Sequence, residues 1–358
     1  MALEIQEIHR LLDLRSDTST LPTDAMRKAM ASAELGDGGR VDLTGRGEDP
    51  TVYALERLAA EVTGKEDGLF LATGSLCNHC AMYTLAERGD KILVEKTSHI
   101  YCDEKSDFMP RYGGLVPIFF HLTPDYQIDP GEIEYLLADG DVKALCLENS
   151  HNYSGGTCLG VETTRTVCEL AHARGVHVHL DGARIFNAAV ALGVDVKELT
   201  GPVDSLMFCV SKGLGAPVGS LLVGSSAFLA RAREVCKLTG TFMRQAGVIA
   251  AAGILALEPE NIARLAEDHA NAAHLGKLLS VVDNAIMDPK ADQTNFVYMN
   301  VSPTGKSALE VRDGLLKRGL LVAKMTDESI RLAVRREITR ADVERAAGIV
   351  VEYFQSLK

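Results

Sequence analysis

Two residues of this chain have the types and the placing for carbonyl chemistry. Asp181 closes the apolar run at 177–181, and Lys212 follows a second apolar run, inside the small-residue loop Val-Ser-Lys-Gly-Leu-Gly. A lysine amine can form a Schiff base, and a carboxylate can keep a pyridinium nitrogen protonated. Strands of an open α/β sheet deliver both groups to one crevice at their ends. Each residue also has a plainer reading. An aspartate after a strand is commonly a turn or cap, and a lysine in a glycine-rich loop is commonly solvated. His177, His179 and Asp181 alternate along one strand and so face one way, which leaves metal ligation as a competing reading. Arg184 adds a planar fork suited to a carboxylate.

The elements needed to hold these residues can be read from the pattern. An apolar stretch at 68–73 runs into Thr73-Gly74-Ser75-Leu76 and a helix. A small-residue turn at a helix N-terminus offers free N–H groups to a phosphate, which nominates Gly74 and Ser75. A strand at 91–95 leads to His99. Further strands are expected at 144–147 and 177–181, and helices at 162–174 and 227–237. Thr23 and Thr51 read as helix caps, and Gly64 as a helix stop. Residues 36–50 form a loop. Beyond a long helix at 261–279, strands at 295–300 and 320–323 and helices at 307–318 and 340–357 suggest a smaller α+β layer. The expected domains are therefore 1–258, an N-terminal arm and a large domain, and 259–358, a linker helix and a small domain. The arm carries Leu3, Ile5, Ile8, Leu11 and Leu12 on an amphipathic pattern suited to a neighbouring subunit.

The chain is long enough for a substantial core, and its formal charge of −12 argues against nucleic acid or an anionic membrane as partner. The longest apolar stretch, 246–257, is too short to span a bilayer and reads as a buried helix. With no signal-peptide pattern and cysteines scattered through apolar runs, a cytoplasmic enzyme with reduced thiols is expected. Cys77-Asn-His-Cys80 has the spacing of a zinc or redox motif but lacks a second ligand pair. Helix packing is the preferred reading.

The wording of these segments adds a resemblance. Asp-Gly-Ala-Arg-Ile-Phe-Asn-Ala from Asp181 and Ser-Lys-Gly-Leu-Gly-Ala-Pro-Val-Gly-Ser from Ser211 resemble the threonine aldolase and β-eliminating lyase group of pyridoxal phosphate (PLP) enzymes. So do DLRSDTSTLPTDAMRKAM, GEDPTVYALERLAAEVTGKE, SHIY, LENSHNYSGGT and MRQAG, up to about Ala273. The resemblance implies fold type I, the PLP-dependent transferase-like α/β fold of aspartate aminotransferase. Its large domain has a mostly parallel central sheet flanked by helices. It implies that Lys212 holds PLP, that Asp181 binds the pyridine nitrogen, and that His99 stacks on the ring and moves protons. Gly74, Ser75, Ser211, Arg184 and Arg244 then complete the cofactor site, with Arg244 reaching the phosphate across a subunit interface. Ser16, Arg184 and Arg331 clamp the substrate carboxylate. No metal is implied. Homotetramers built as dimers of dimers, with shared active sites, are the family's usual assembly.

The sequence also departs from the family's pattern. Arg46 stands where a tyrosine usually precedes Gly-Glu-Asp-Pro, which nominates it for an anionic substrate group. Asp103 stands two residues after Tyr101, where an aromatic is usual, and it and Lys105 are nominated as charges at the pocket edge. Thr241 and Phe242 interrupt the glycines ahead of Met-Arg-Gln. A His-Phe-Ala-Arg-Thr-like segment, whose histidine is a candidate partner for the substrate hydroxyl, is missing before residue 144, and His151 is the substitute. These changes set threonine itself in question and suggest a polar or charged substrate side chain. The expected activity is retro-aldol cleavage of β-hydroxy-α-amino acids to glycine and an aldehyde. The alternatives are β-elimination to a 2-oxo acid and ammonia, and a non-catalytic PLP-binding protein.

Overall fold

The computed structural model describes residues 5–288, 290 and 293–357. Its described strands are β1 (Leu12–Leu14), β2 (Asp67–Leu71), β3 (Lys91–Glu95), β4 (Val116–Phe120), β5 (Val142–Glu148), β6 (His177–Asp181), β7 (Ser205–Cys209), β8 (Ser220–Gly224), β9 (Phe296–Asn300), β10 (Leu320–Lys324) and β11 (Ser329–Ala333). Seven of them form one sheet in the order β2-β8-β7-β6-β5-β3-β4. It is parallel from β4 to β7, and β8 and β2 continue it antiparallel. Strands buried on both faces need apolar side chains on both faces, hence the unbroken apolar runs. Leu145, Leu147, Leu180, Leu206 and Phe208 pack on one side. Ala144, Cys146, Met207, Cys209 and Leu222 pack on the other, against the helices Gly74–Leu85 and Ser226–Thr239. This is the expected α/β architecture.

The pairing of β6 sets the site. Asp181 lies opposite Glu148 on β5 and Met207 on β7, so both carboxylates arrive at the same end of the sheet. Cys77 and Cys80 are buried in the helix-to-sheet packing, with the Cys80 sulfur 3.3 Å from that of Cys236 and both thiols free.

The second sheet has the order β1-β10-β11-β9 and a core of its own, with the helices Leu265–Leu279, Ala308–Leu316 and Arg340–Gln355. Here the N-terminus behaves differently from an arm. Leu12 and Leu14 are buried in this second core, because β1 pairs in parallel with β10. The turn of helix at Ile5–Ile8 buries none of its side chains, and Leu3 lies outside the described residues.

Two element ends differ from expectation. The helix Pro50–Thr63 is capped by Asp49 rather than Thr51, since Pro50 takes the first helical position. Thr51 instead donates its hydroxyl to the Glu34 carbonyl at 2.6 Å. The expected helix at 261–279 is two helices, Pro259–Ala263 and Leu265–Leu279, meeting at Arg264. Thr23 and Gly64 cap as expected. Among the described residues no helix is long and apolar enough to cross a membrane.

Asp49 does more than cap. One carboxylate oxygen accepts from the N–H groups of Thr51 at 3.1 Å and Val52 at 3.0 Å, and the other from Gly36 at 3.1 Å and Gly247 at 3.0 Å. The side chain is 1% exposed. Asp49→Ala therefore leaves several buried donors unpaired and is expected to cost about 2–4 kcal/mol of unfolding free energy. Equilibrium urea unfolding measures it, and a loss no larger than that of an exposed cap would contradict the role in joining three segments.

Candidate active site

A cavity of about 560 Å³ opens at the C-terminal ends of β6 and β7. The small sheet closes it with Ala323, Lys324, Met325 and Arg331. Of the residues nominated from sequence, Ser16, Gly74, Ser75, His99, Asp181, Arg184, Ser211, Lys212 and Arg331 all line it.

Asp181 is buried and held from two sides. Its Oδ1 accepts from the Ala183 N–H at 3.1 Å, and its Oδ2 from the Asn78 side-chain amide at 2.9 Å. Asn78 is fixed in turn by His179, whose Nε2 is 3.1 Å from the amide oxygen. The other nitrogen of His179 is 2.9 Å from the Ser205 hydroxyl, which also meets His177 Nε2 at 2.8 Å. Burial first, then the charge on His177, pushes His179 down to about 3, so it is neutral and serves as a hydrogen-bonding spacer. The two histidines and Asp181 therefore form a relay through Ser205 and Asn78 rather than converging on one point. Asn78 has no local signal in the sequence, because its partner Asp181 lies 103 residues away along the chain.

His99 sits beside this carboxylate. One ring nitrogen of His99, one Glu104 oxygen and one Asp181 oxygen all lie within 4.8 Å of one another. The π-helical turn Ile100–Glu104 brings Glu104 back to His99 Nδ1 at 3.2 Å, and Asp103 to 3.6 Å from Nε2. The backbone N–H of His99 donates to Glu148 at 2.7 Å. Burial opposes the imidazolium, but the Glu104 bond and the charges of Asp181, Glu104 and Glu148 outweigh it and raise His99 to about 8. Glu104 was missed from sequence because a five-residue return belongs to a π-turn, not to the α-helical spacing that periodicity reads.

Thr73 caps the helix Gly74–Leu85, its hydroxyl accepting from Leu76 at 3.1 Å. The N–H groups of Gly74 and Ser75 have no carbonyl to bind within the helix. A Cβ at Gly74 would meet Met207 Cε at 2.3 Å and Cys209 Sγ at 3.0 Å, so glycine lets this helix end rest on β7. The Ser211 hydroxyl donates to the Gly219 carbonyl at 3.1 Å. The Lys212 amine has no hydrogen-bond or ion-pair partner among the described residues.

The arginines separate into two kinds. Arg184 spends its fork on Asp17, at 2.7 and 2.6 Å, in a buried pair that holds Asp17 well below the usual carboxylate range. Arg331 donates to Asn152 at 2.9 Å and to the Arg15 carbonyl at 3.2 Å, while its buried Nε has no partner. The two guanidinium groups lie 4.6 and 4.4 Å from the centroid of Phe296. Arg331 thus bonds only neutral acceptors, whereas Arg184 is neutralised by an aspartate that the sequence presented as part of a polar turn.

Arg46 and Arg244 lie outside the cavity of their own chain. Arg46 is 2.7 Å from Asp67 and 3.9 Å from Glu56, with its guanidinium over Tyr53. Arg233 shares both acidic side chains, at 2.7 Å from Asp67 and 3.5 Å from Glu56, so Arg46 belongs to a buried charge cluster rather than to the cavity of its own chain. The exposed guanidinium of Arg244 pairs with Asp37 at 3.0 Å. His151 is buried against Glu95 at 3.1 Å and does not line the cavity; nor does Lys105. Asp103 does.

An unpartnered amine, a fixed buried carboxylate, a raised histidine and open helix N–H groups around one cavity suit a cofactor that bears an aldehyde, a pyridine nitrogen and a phosphate. The comparisons agree. The sequence profile described as β-eliminating lyase matches residues 13–302. The chain is 38% identical over 345 residues to the low-specificity L-threonine aldolase 1 of Arabidopsis thaliana, covering 94% of each chain. It is 38% identical over 343 residues to the low specificity L-threonine aldolase of Escherichia coli (strain K12), covering 94% of this chain and 98% of that one. A threonine aldolase structure from Leishmania major superposes with a TM-score of 0.75, at 16% identity, over 96% of this chain and 99% of that one.

The environment of His99 yields a direct test. Its raised value means that the charged ring favours the folded protein below pH 6.5, a contribution lost as the pH climbs through about 8. Glu104→Gln removes the hydrogen-bonded carboxylate and is expected to bring His99 down toward its ordinary value of 6.5. An NMR titration of the cofactor-free protein reads this, and an unmoved His99 would contradict the assignment of cause.

Proposed function

The chain belongs to the β-eliminating lyase family, and from that premise we propose that it is a PLP-dependent aldehyde-lyase. It splits β-hydroxy-α-amino acids, L-threonine among them, into glycine and an aldehyde. The observation that carries this reading is the joint placing of an unpartnered Lys212 and a hydrogen-bonded Asp181 in one cavity, in a chain 38% identical to two L-threonine aldolases.

The residues fit the cofactor. Lys212 has an amine for the aldehyde, and Gly74 and Ser75 have free N–H groups for the phosphate. Asp181 has a carboxylate for the ring nitrogen, with Asn78 bonding one oxygen and the Ala183 N–H the other. When bound, PLP supplies an electron sink for the bond broken at Cα. The chain's own work is positional. Asp181 would hold the ring nitrogen protonated, and Asn78 keeps that carboxylate from turning. His99 would lie beside the bound cofactor, kept charged through Glu104. Ser16 and Arg331, whose guanidinium bonds only neutral acceptors, take the substrate carboxylate. Arg184 braces that clamp through Asp17, Phe296 and Asn152. Holding the carboxylate fixes the rotation about Cα, and so decides which bond is broken.

Arg46 and Lys105 lie outside the cavity, and Lys324 at its edge is paired with Asp327 at 2.6 Å. Within one chain the cavity thus gains no cation from Arg46 or Lys105, and we infer threonine and its neutral relatives as the preferred substrates. The missing histidine segment keeps β-elimination as a second reading, because it removes one candidate for the hydroxyl proton. The chain works in the cytoplasm as a homo-oligomer, a dimer of dimers. Leu43, 90% exposed, and Leu238, 87% exposed, are apolar surface that assembly would cover. It folds as a large domain to about 258 and a small one after it, to which β1 contributes a strand.

Product analysis tests the activity. With PLP and L-threonine, allo-threonine or phenylserine, glycine and the matching aldehyde are expected in equal amounts. A 2-oxo acid and ammonia without glycine would establish elimination instead.

A further inference from the structure

A retro-aldol cleavage needs an acceptor for the proton of the β-hydroxyl. Resting on the aldolase reading, the acid–base groups of the cavity can be taken in turn. Lys212 is required for the cofactor. Asp181 is occupied by Asn78 and the Ala183 N–H. Glu104, only 2% exposed, bonds His99 and Asn78 through one oxygen. Lys324 is tied to Asp327. His99 already carries a proton below about pH 8. His151 is turned away onto Glu95.

Asp103 is left. Its side chain is 41% exposed on the wall of the cavity, with one oxygen 3.6 Å from His99 Nε2. Its other oxygen accepts from the Tyr153 hydroxyl at 3.0 Å, which fixes the direction of the carboxylate. Tyr153 follows Asn152 in the chain, and Asn152 bonds Arg331 at 2.9 Å. Consecutive residues thus tie Asp103 to the carboxylate clamp, and all four line the same cavity.

We propose that Asp103 is the catalytic base that takes the β-hydroxyl proton of the substrate. The O–H bond breaks, its proton moves to the Asp103 carboxylate, and its electron pair becomes the second C–O bond of the aldehyde. The Cα–Cβ bond breaks at the same time and its pair is left at Cα, where a proton completes glycine. One proton leaves oxygen and one arrives at carbon, so no oxidant, reductant or water is consumed. The charge that replaces an aromatic at this position is therefore a functional substitution for the missing histidine.

The test uses the PLP-loaded protein and Asp103→Asn, with Asp103→Glu as a second variant. Asp103→Asn is expected to lower kcat for threonine cleavage by ~100-fold or more. Exchange of the glycine Cα proton with deuterated water needs no hydroxyl base, and should stay within about threefold of wild type. The absorbance of the bound cofactor should be unchanged, and Asp103→Glu should recover part of the cleavage. Cleavage by Asp103→Asn within about threefold of wild type would overturn the proposal, as would a parallel loss of cleavage and exchange. Wild-type protein that releases no glycine would instead overturn the aldolase reading beneath it.

Discussion

A carboxylate buried at the end of a parallel strand has to be compensated by hydrogen bonds or by charge, or it will pick up a proton. The bond from Asn78 to Asp181 meets that constraint, and much of the surrounding structure serves it. Asn78 sits one turn into the helix whose N-terminus offers Gly74 and Ser75 to the cavity. It is held in place by the neutral His179, which is itself held by Ser205 on the neighbouring strand. The register that sets Asp181 beside Glu148 and Met207 then brings His99 and its π-turn over the same point. The carboxylate, the helix turn at Gly74 and the histidine are thereby one mechanical unit.

A second buried charge ties that unit to the rest of the chain. Asp17, directly after β1, pairs with Arg184, directly after β6, so the N-terminus is bound to both sheets. Phe296 from β9 lies against both Arg184 and Arg331, and Asn152 bonds both. Losing one member of such a cluster strands a buried charge. The side of the cavity assigned to the substrate carboxylate therefore depends on contacts between the two sheets.

The fold was largely legible because its signals are local. Apolar runs marked β3, β6 and the buried helix Gly247–Ala256, and Thr23 and Gly64 marked helix ends. What failed depended on distance along the chain. The pairing of Leu12–Leu14 with β10 joins segments some three hundred residues apart, and nothing near Leu12 announces it. The site divides the same way. Asp181, Lys212 and the turn at Gly74 have local wording, whereas Asn78, Asp17 and Glu104 matter only through partners that folding supplies. Arg46 shows the converse. A lone cation in a loop looks available until Asp67 and Glu56 are placed beside it.

The central claim is that Lys212, opposite a fixed Asp181, is the residue that joins the cofactor. Borohydride reduction of the PLP-loaded protein, followed by peptide mapping by mass spectrometry, tests it most directly. The account predicts a single pyridoxyl-phosphate adduct on the peptide containing Lys212. An adduct on Lys324, the other lysine of the cavity wall, or a protein left unlabelled, would contradict it.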